Sequence, residues 1–144
     1  RLRNWWSEAD RAIFQRKTKQ LAEQYARYEP LPGLRVDGDR TLAENVADLT
    51  GLVLGYEALR RARRAQGAGL THADRQAFFE GWARRWRVAY TEPLLAQVLQ
   101  RDTHAPLPLR CIVPLSNFTP FYDFGGIGEG DADFRPMEQR AGLW

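Results

Sequence analysis

The 144-residue sequence contains one cysteine, one methionine, two histidines and two lysines. With Cys111 alone, no internal disulfide can form and no C-x-x-C metal knuckle exists. Beside apolar Ile112 and Val113, and with no histidine close in sequence to activate it, Cys111 reads as a small buried hydrophobe and not as a nucleophile. His72 and His104 stand far apart and outside any H-E-x-x-H pair, so these histidines cannot assemble a three-ligand zinc site on their own. No run of 18 apolar residues occurs, so no membrane-spanning helix is expected. Lys17 and Lys19 are the only lysines, and nearly all of the positive charge is arginine, with a net charge of +3. The clusters Arg60-Arg61-Ala62-Arg63-Arg64 and Arg84-Arg85-Trp86-Arg87 read as solvated helix faces and helix C-termini, where cations suit the macrodipole. Nucleic acid is therefore not an expected partner. Initiator methionine and signal-peptide core are both missing around Arg1-Leu2-Arg3-Asn4-Trp5-Trp6, so the chain is read as a fragment or a processed piece.

What remains is one domain's worth of chain with ordinary apolar and charged fractions. Helical periodicity places a first helix at about Glu8–Tyr28, with Ser7 as N-cap and Glu8 and Asp10 in its first turn. Val36-Asp37-Gly38-Asp39 carries an Asp-Gly turn signal and reads as a short exposed connection. A second helix runs from Thr41 to about Ala65, stopped by Gln66-Gly67-Ala68-Gly69. Thr71-x-x-Asp74 caps a third helix, which carries Phe78, Phe79, Trp82, Trp86 and Tyr90, and Pro93 opens a short fourth one reaching about Gln100. Beyond Asp102, Pro106, Pro108, Pro114 and Pro120 favour extended or turn backbone. Asn117 is a candidate cap for a short helix through Phe121–Phe124. The glycine-rich stretch 124–130 does not sit between a strand and a helix, which argues against a phosphate cradle. Tryptophans 5, 6, 82 and 86 read as core. The expected fold is mainly α with an irregular C-terminal third, a place where binding residues often sit.

Chemistry concentrates at two places. Glu44 and Asp48 lie four residues apart on one face of helix two. Glu44 fits a capping box with Thr41, which is its leading reading from spacing alone, with a metal-ligand role as the lesser alternative. Asp48, one turn deeper and flanked by Val46, Ala47, Leu49 and Leu52, needs a cationic partner, either a metal or an arginine. The second place is Asp102-Thr103-His104-Ala105-Pro106 with Arg110: an aspartate two residues before a histidine can hold its ring. Taken alone, His104 reads as a surface histidine, Arg110 as a salt-bridge partner, and His72 as a surface or capping residue.

In order along the chain, five blocks resemble the neprilysin-type zinc metallopeptidases, which include endothelin-converting enzymes and bacterial oligopeptidases. Asn4-Trp5-Trp6 with Asp10 is similar to that family's N-W-W segment. Asp37-Gly38 and Thr41-Leu42-Ala43-Glu44-Asn45-Val46-Ala47-Asp48 resemble D-G and T-L-G-E-N-I-A-D. Phe78-Phe79-Glu80-Gly81-Trp82-Ala83 and Trp86-Arg87 resemble F-F-x-x-W-A-Q-V-W-R. Asp102-Thr103-His104-Ala105-Pro106 and Arg110 resemble D-x-H-x-P…R, and Arg140-Ala141-Gly142-Leu143-Trp144 resembles the ending R-x-x-I-W. The resemblance covers nearly the whole chain and implies that residues 1–144 are the helical C-terminal part of a zincin-type catalytic domain.

It also implies roles. Glu44 would be the third zinc ligand and Asp48 the acid that hydrogen-bonds a ligand histidine. His104 would stabilise the oxyanion, with Asp102 orienting it. Arg110 would hold a substrate backbone carbonyl, and Trp86 would wall the pocket for the residue just after the scissile bond. The implied cofactor is one Zn2+, shared with two histidines that this chain does not contain, and the implied substrate is a peptide. The family's H-E-x-x-H precedes N-W-W and is absent here, so the chain alone is expected to be inactive. Its implied partner is the N-terminal part of the same protein or a companion chain carrying that motif. The alternative is a non-catalytic relative or processed subunit that binds peptides or partners. Arg84-Arg85 replaces the family's Q-V: either Arg85 makes the pocket basic, favouring acidic or small residues, or its side chain snorkels away. Ala43 in place of glycine is a mild change in a helix. The vertebrate disulfide cysteines are missing, which fits a bacterial relative. The compartment stays open between secreted, periplasmic and cytoplasmic.

Overall fold

The computed structural model describes residues 4 and 6–143. Trp5, inside the Asn4-Trp5-Trp6 block, and Trp144, the end of the last block, lie outside the described residues. Among the described residues there are six α-helices: α1 (Glu8–Tyr25), α2 (Leu42–Ala65), α3 (His72–Arg85), α4 (Glu92–Arg101), α5 (Leu107–Leu115) and α6 (Thr119–Gly125), followed by a 3-10 turn at Met137–Gln139. A lone Leu31–Leu34 bridge stands where a sheet would be. The expected mainly helical class holds, and no described helix is long and apolar enough to cross a membrane.

The caps explain most boundaries. Ser7 accepts the Asp10 amide at 3.0 Å and opens α1. That helix stops at Tyr25, one turn short of the expected Tyr28. Thr71 and Asp74 form the expected capping box, each side chain taking the other's backbone N–H. Two expectations fail. Thr41 is in helical conformation and caps nothing; its hydroxyl donates to the Asp37 carbonyl at 2.9 Å, so the Thr41–Glu44 box does not form. Asn117 does not cap α6, which follows Phe118 instead. Its amide donates to Gln24 and to the Val113 carbonyl, both at 2.8 Å, and its oxygen accepts the Ala141 amide at 2.6 Å, fastening the tail to α1 and α5.

The proline-rich stretch is more helical than its composition suggests. Pro106 precedes α5, Pro108 sits in its first turn, where a missing N–H costs nothing, and Pro114 lies one residue from the end. The Asp37-Gly38 connection is also not simply the short exposed connection expected. Gly38 is buried, and a Cβ there would lie 2.0 Å from the Ala22 carbonyl oxygen, so the glycine permits close approach of α1 to the chain entering α2.

α2 is the central element. Leu49 joins one apolar cluster with Leu21 and Tyr25 of α1, Leu99 of α4, Leu109 and Val113 of α5, and Ala141 and Leu143 of the tail. Leu52 and Tyr56 join a second cluster with Phe79, Leu115 and Phe118. That second core is aromatic, with Tyr56 edge-on to Phe78 and Phe118 at 5.2 Å in each case. Among the tryptophans expected in the core, Trp86 is buried, whereas Trp6 and Trp82 are half-buried. Burial of these two clusters pins α2 on both sides and leaves its first turns, with Glu44 and Asp48, facing α5 and the loop before it.

Candidate active site

Arg110 organises the site. It lies in the first turn of α5, its own N–H bonded to the Pro106 carbonyl at 3.1 Å. Its Nε and Nη2 donate to the two oxygens of Asp48 at 2.6 and 2.8 Å, a bidentate pair in which both side chains are largely withdrawn from water, 8% exposed for Asp48 and 14% for Arg110. The cationic partner that Asp48 requires is thus an arginine. The same Nη2 stands 3.8 Å from Glu44 Oε2, and the guanidinium carbon lies 4.5 Å from the centre of the Trp86 ring. Asp48 holds the guanidinium's edge while Trp86 holds its face.

Glu44 is placed differently. It stands one turn earlier on α2 and is freed from capping by the conformation of Thr41, with its side chain 39% exposed. Its Oε2 lies 3.3 Å from His104 Nε2. On the other side of that ring, Nδ1 is 2.8 Å from Asp102 Oδ1, which also accepts the His104 backbone N–H at 2.8 Å. The two-residue spacing between Asp102 and His104 closes a small loop that fixes the ring. These contacts, the backbone bond first, hold the Asp102 carboxyl below the usual carboxylate range.

Sequence reasoning missed Arg40, which sets this loop. Its Nε donates to the Asp102 carbonyl at 3.1 Å, its Nη1 to the Gln100 carbonyl at 2.9 Å, and its Nη2 to the Leu99 carbonyl. Arg40 thereby satisfies the orphan carbonyls ending α4 and fixes the direction in which the chain leaves toward His104. Nothing in local spacing could show this, because the partners lie some sixty residues away.

Tyr25 was also missed as a site neighbour, since its place on α1 marks it only as core. It is fully buried, and its hydroxyl finds no hydrogen-bond partner among the described residues. Burial first, and then the nearby Asp48 carboxylate, push its phenol well above the usual range. Asn45 Oδ1 and Trp86 Nε1 are likewise buried and unpaired among the described residues. These orphan polar atoms belong to a site neighbour, to the residue after Glu44, and to the ring beneath Arg110.

Arg85 is exposed, and its guanidinium carbon lies 5.3 Å from the Trp86 ring centre. His72 sits exposed at the start of α3, its ring 5.1 Å from that of Phe124, apart from the cluster. Cys111 is half-buried, and burial pushes its thiol upward, away from reactivity. Among the described residues, no group of three or more His, Cys, Asp and Glu is placed to hold a metal ion.

Glu44, Asp48, Trp86, Asp102, His104 and Arg110 therefore meet at one place from three separate stretches of chain. Comparison with known proteins gives this arrangement a family. The model of peptidase family M13 matches residues 1–141. The chain is 29% identical over 143 residues to the neutral endopeptidase of Lactococcus lactis subsp. cremoris, covering 99% of this chain and 21% of that protein. It is 36% identical over 127 residues to human endothelin-converting enzyme 1, covering 83% of this chain and 16% of that protein. The inhibitor-bound zinc metalloprotease of Mycobacterium tuberculosis superimposes with a TM-score of 0.86 at 34% identity, over 99% of this chain and 23% of that one. The chain spans about a fifth of the length of the curated relatives it matches. It belongs to peptidase family M13.

Proposed function

We propose that this chain is the C-terminal part of a zinc metalloendopeptidase catalytic domain that hydrolyses peptide bonds in oligopeptides. The observation that carries the reading is the convergence of Glu44, His104 and Arg110, with Asp102 and Asp48 behind them. The residues present fit one corner of a zinc site. Glu44 offers a hard carboxylate oxygen that no cap consumes, and the two further protein ligands would be histidines of an H-E-x-x-H segment, from the N-terminal part of the same protein or a companion chain. When bound, zinc would polarise the substrate carbonyl and lower the pKa of a coordinated water.

The remaining work falls to this chain's own residues. His104, its ring fixed by Asp102, stands close enough to Glu44 to donate from Nε2, in the form protonated on both ring nitrogens, to the oxygen on which negative charge develops. Arg110 is oriented by Asp48 and Trp86 before substrate arrives, so it can meet a backbone carbonyl without reorganising. Trp86 offers an indole wall beside that carbonyl, and Arg85 lies on the same ring. Asp48 keeps lone pairs beyond the two that Arg110 uses, and one of these is free to take an N–H from a ligand histidine, which would fix that ring and raise its basicity. A chain without the H-E-x-x-H segment has neither the general base nor the other ligands, and is inactive alone.

The test uses the full-length protein or a reconstituted pair of chains. Glu44→Gln should lose stoichiometric zinc and peptidase turnover together, by metal analysis and a quenched-peptide assay. His104→Ala should keep zinc and lose roughly 100-fold in kcat, the scale of one oxyanion donor. Stoichiometric zinc with normal turnover in Glu44→Gln would overturn the ligand assignment. Peptide binding without any cleavage by the zinc-loaded wild type would favour a non-catalytic, peptide-binding relative.

A further inference from the structure

The turn from Asp37 to Thr41 touches both halves of the site. On one side it opens α2, the helix that carries Glu44. Asp37 fixes it there: its Oδ1 accepts the Arg40 N–H at 2.9 Å, and its carbonyl accepts the Thr41 N–H and hydroxyl at 3.1 and 2.9 Å. Buried Asn45, the residue after Glu44, donates its amide to the Thr41 hydroxyl oxygen at 2.9 Å. Gly38, pressed on the Ala22 carbonyl, seats the same turn on α1. On the other side, the Arg40 guanidinium crosses to the end of α4. The carbonyls of Leu99 and Gln100 are among the last four of that helix, which no helical N–H serves. Arg40 takes both of them, and the Asp102 carbonyl beyond them, with the three nitrogens of one rigid planar group.

Resting on the peptidase reading above, we infer that Arg40 is a positioning residue for the reaction: it ties the helix bearing the zinc ligand to the loop bearing the oxyanion donor, and so sets how far Glu44 stands from His104. The contacts form a closed circuit. Arg40 Nε donates to the Asp102 carbonyl at 3.1 Å, Asp102 Oδ1 holds the His104 N–H and the ring nitrogen Nδ1 at 2.8 Å each, and His104 Nε2 stands 3.3 Å from Glu44 Oε2. The first turn of α2 closes the circuit, carrying the chain from Arg40 to Glu44. Every link is a contact made within this chain. Arg40 itself touches no reacting atom and acts through Asp102 on the direction of the His104 ring. A loop held at one carbonyl can swing about it, whereas three carbonyls held by one plane fix its exit from α4. The cation also suits the C-terminal end of α4. A lysine would keep that charge and lose the fork.

The experiment uses the full-length, zinc-loaded protein and a quenched peptide. Arg40→Met removes the donors and keeps the stem. It should retain stoichiometric zinc and lower kcat roughly tenfold, with KM changed by less than about twofold, because the loss falls on an interaction made in the transition state. Arg40→Lys should fall between Arg40→Met and the wild type, and carries the test if Arg40→Met does not fold. The same change in a His104→Ala background separates positioning from general loosening: with the oxyanion donor gone, it should lower kcat by less than about twofold. An unchanged kcat in Arg40→Met, or the same loss with and without His104, overturns the positioning role and leaves the peptidase reading intact. If the wild type cuts no peptide, the peptidase reading fails, and amide hydrogen exchange still decides the clamp. Freed from Arg40, the loop should open more often, and the His104 N–H should exchange roughly tenfold faster in Arg40→Met. An unchanged exchange rate there overturns the clamp.

Discussion

Two arginine–aspartate pairs join distant parts of this molecule, and they are built to different ends. Arg63 near the end of α2 donates through Nε to Asp74 at the start of α3 at 2.9 Å, and also through Nη2. Asp74 is then saturated, because it also accepts the backbone N–H and the hydroxyl of Thr71 at 2.9 and 2.8 Å. The Asp48–Arg110 pair has the same fork but unsettled surroundings: a half-exposed Glu44, a ring under the guanidinium, and a buried tyrosine hydroxyl without a partner. In the α2–α3 clasp the Asp74 carboxylate is spent on structure. The site keeps spare hydrogen-bonding capacity where a substrate or metal can use it, as expected where a fold serves chemistry and not only itself.

Breaking each pair in turn separates the two designs. Asp48→Ala leaves the Arg110 charge buried without its partner and should lower unfolding stability by about 3 kcal/mol, measured by chemical denaturation. A loss below about 1 kcal/mol would mean that water reaches Arg110 freely and that the pair resembles a surface bridge.

On the other side, the observable is a titration. Asp74 is held well below the usual carboxylate range, first by the Arg63 side chain and then by Thr71. A folded value depressed below the unfolded value of about 3.9 contributes stability that is fully present above that pH and is lost as pH falls through the folded value. Arg63→Ala should therefore move the Asp74 midpoint up toward the unfolded value, read by carboxyl-carbon NMR, and less stability should be lost on acidification than in the wild type. An unmoved midpoint would assign the depression to the Thr71 cap alone.

Much of this was legible in the sequence, for local reasons. Ser7 and the Thr71–Asp74 box are short-range signals, and they opened α1 and α3 where expected. The acid pair on α2 and the Asp102–His104 spacing likewise brought the site residues to notice. The misreadings had long-range causes. Pro108 and Pro114 look like helix breakers until their places at the two ends of α5 are known. Thr41 reads as a cap until Asp37 claims its hydroxyl, and Asn117 reads as one until Gln24 and Ala141 claim its amide. Arg40 and Tyr25 contribute through partners far along the chain or through the packing of α1 on α2, and no spacing rule encodes either.

The smallest expected effect is the sharpest on the comparison itself. Tyr122, away from the site, donates its hydroxyl to the Ser116 carbonyl at 2.8 Å and accepts the Arg135 amide at 3.2 Å. Tyr25 is more deeply buried and spends its hydroxyl on nothing among the described residues. Replacing either tyrosine by phenylalanine removes one oxygen and leaves the ring in place, so the pair isolates the hydrogen bonds from the packing. Tyr122→Phe should cost about 1–2 kcal/mol, since it orphans a carbonyl and an amide. Tyr25→Phe removes a desolvated group that no bond repays, and should be neutral or stabilising by up to about 1 kcal/mol in the same denaturation experiment. If Tyr25→Phe instead costs as much as Tyr122→Phe, the Tyr25 hydroxyl is already bonded in solution, to Asp48 or through water. The spare capacity of the site would then be narrower by one donor, and the contrast with the α2–α3 clasp would rest on Glu44 and Trp86.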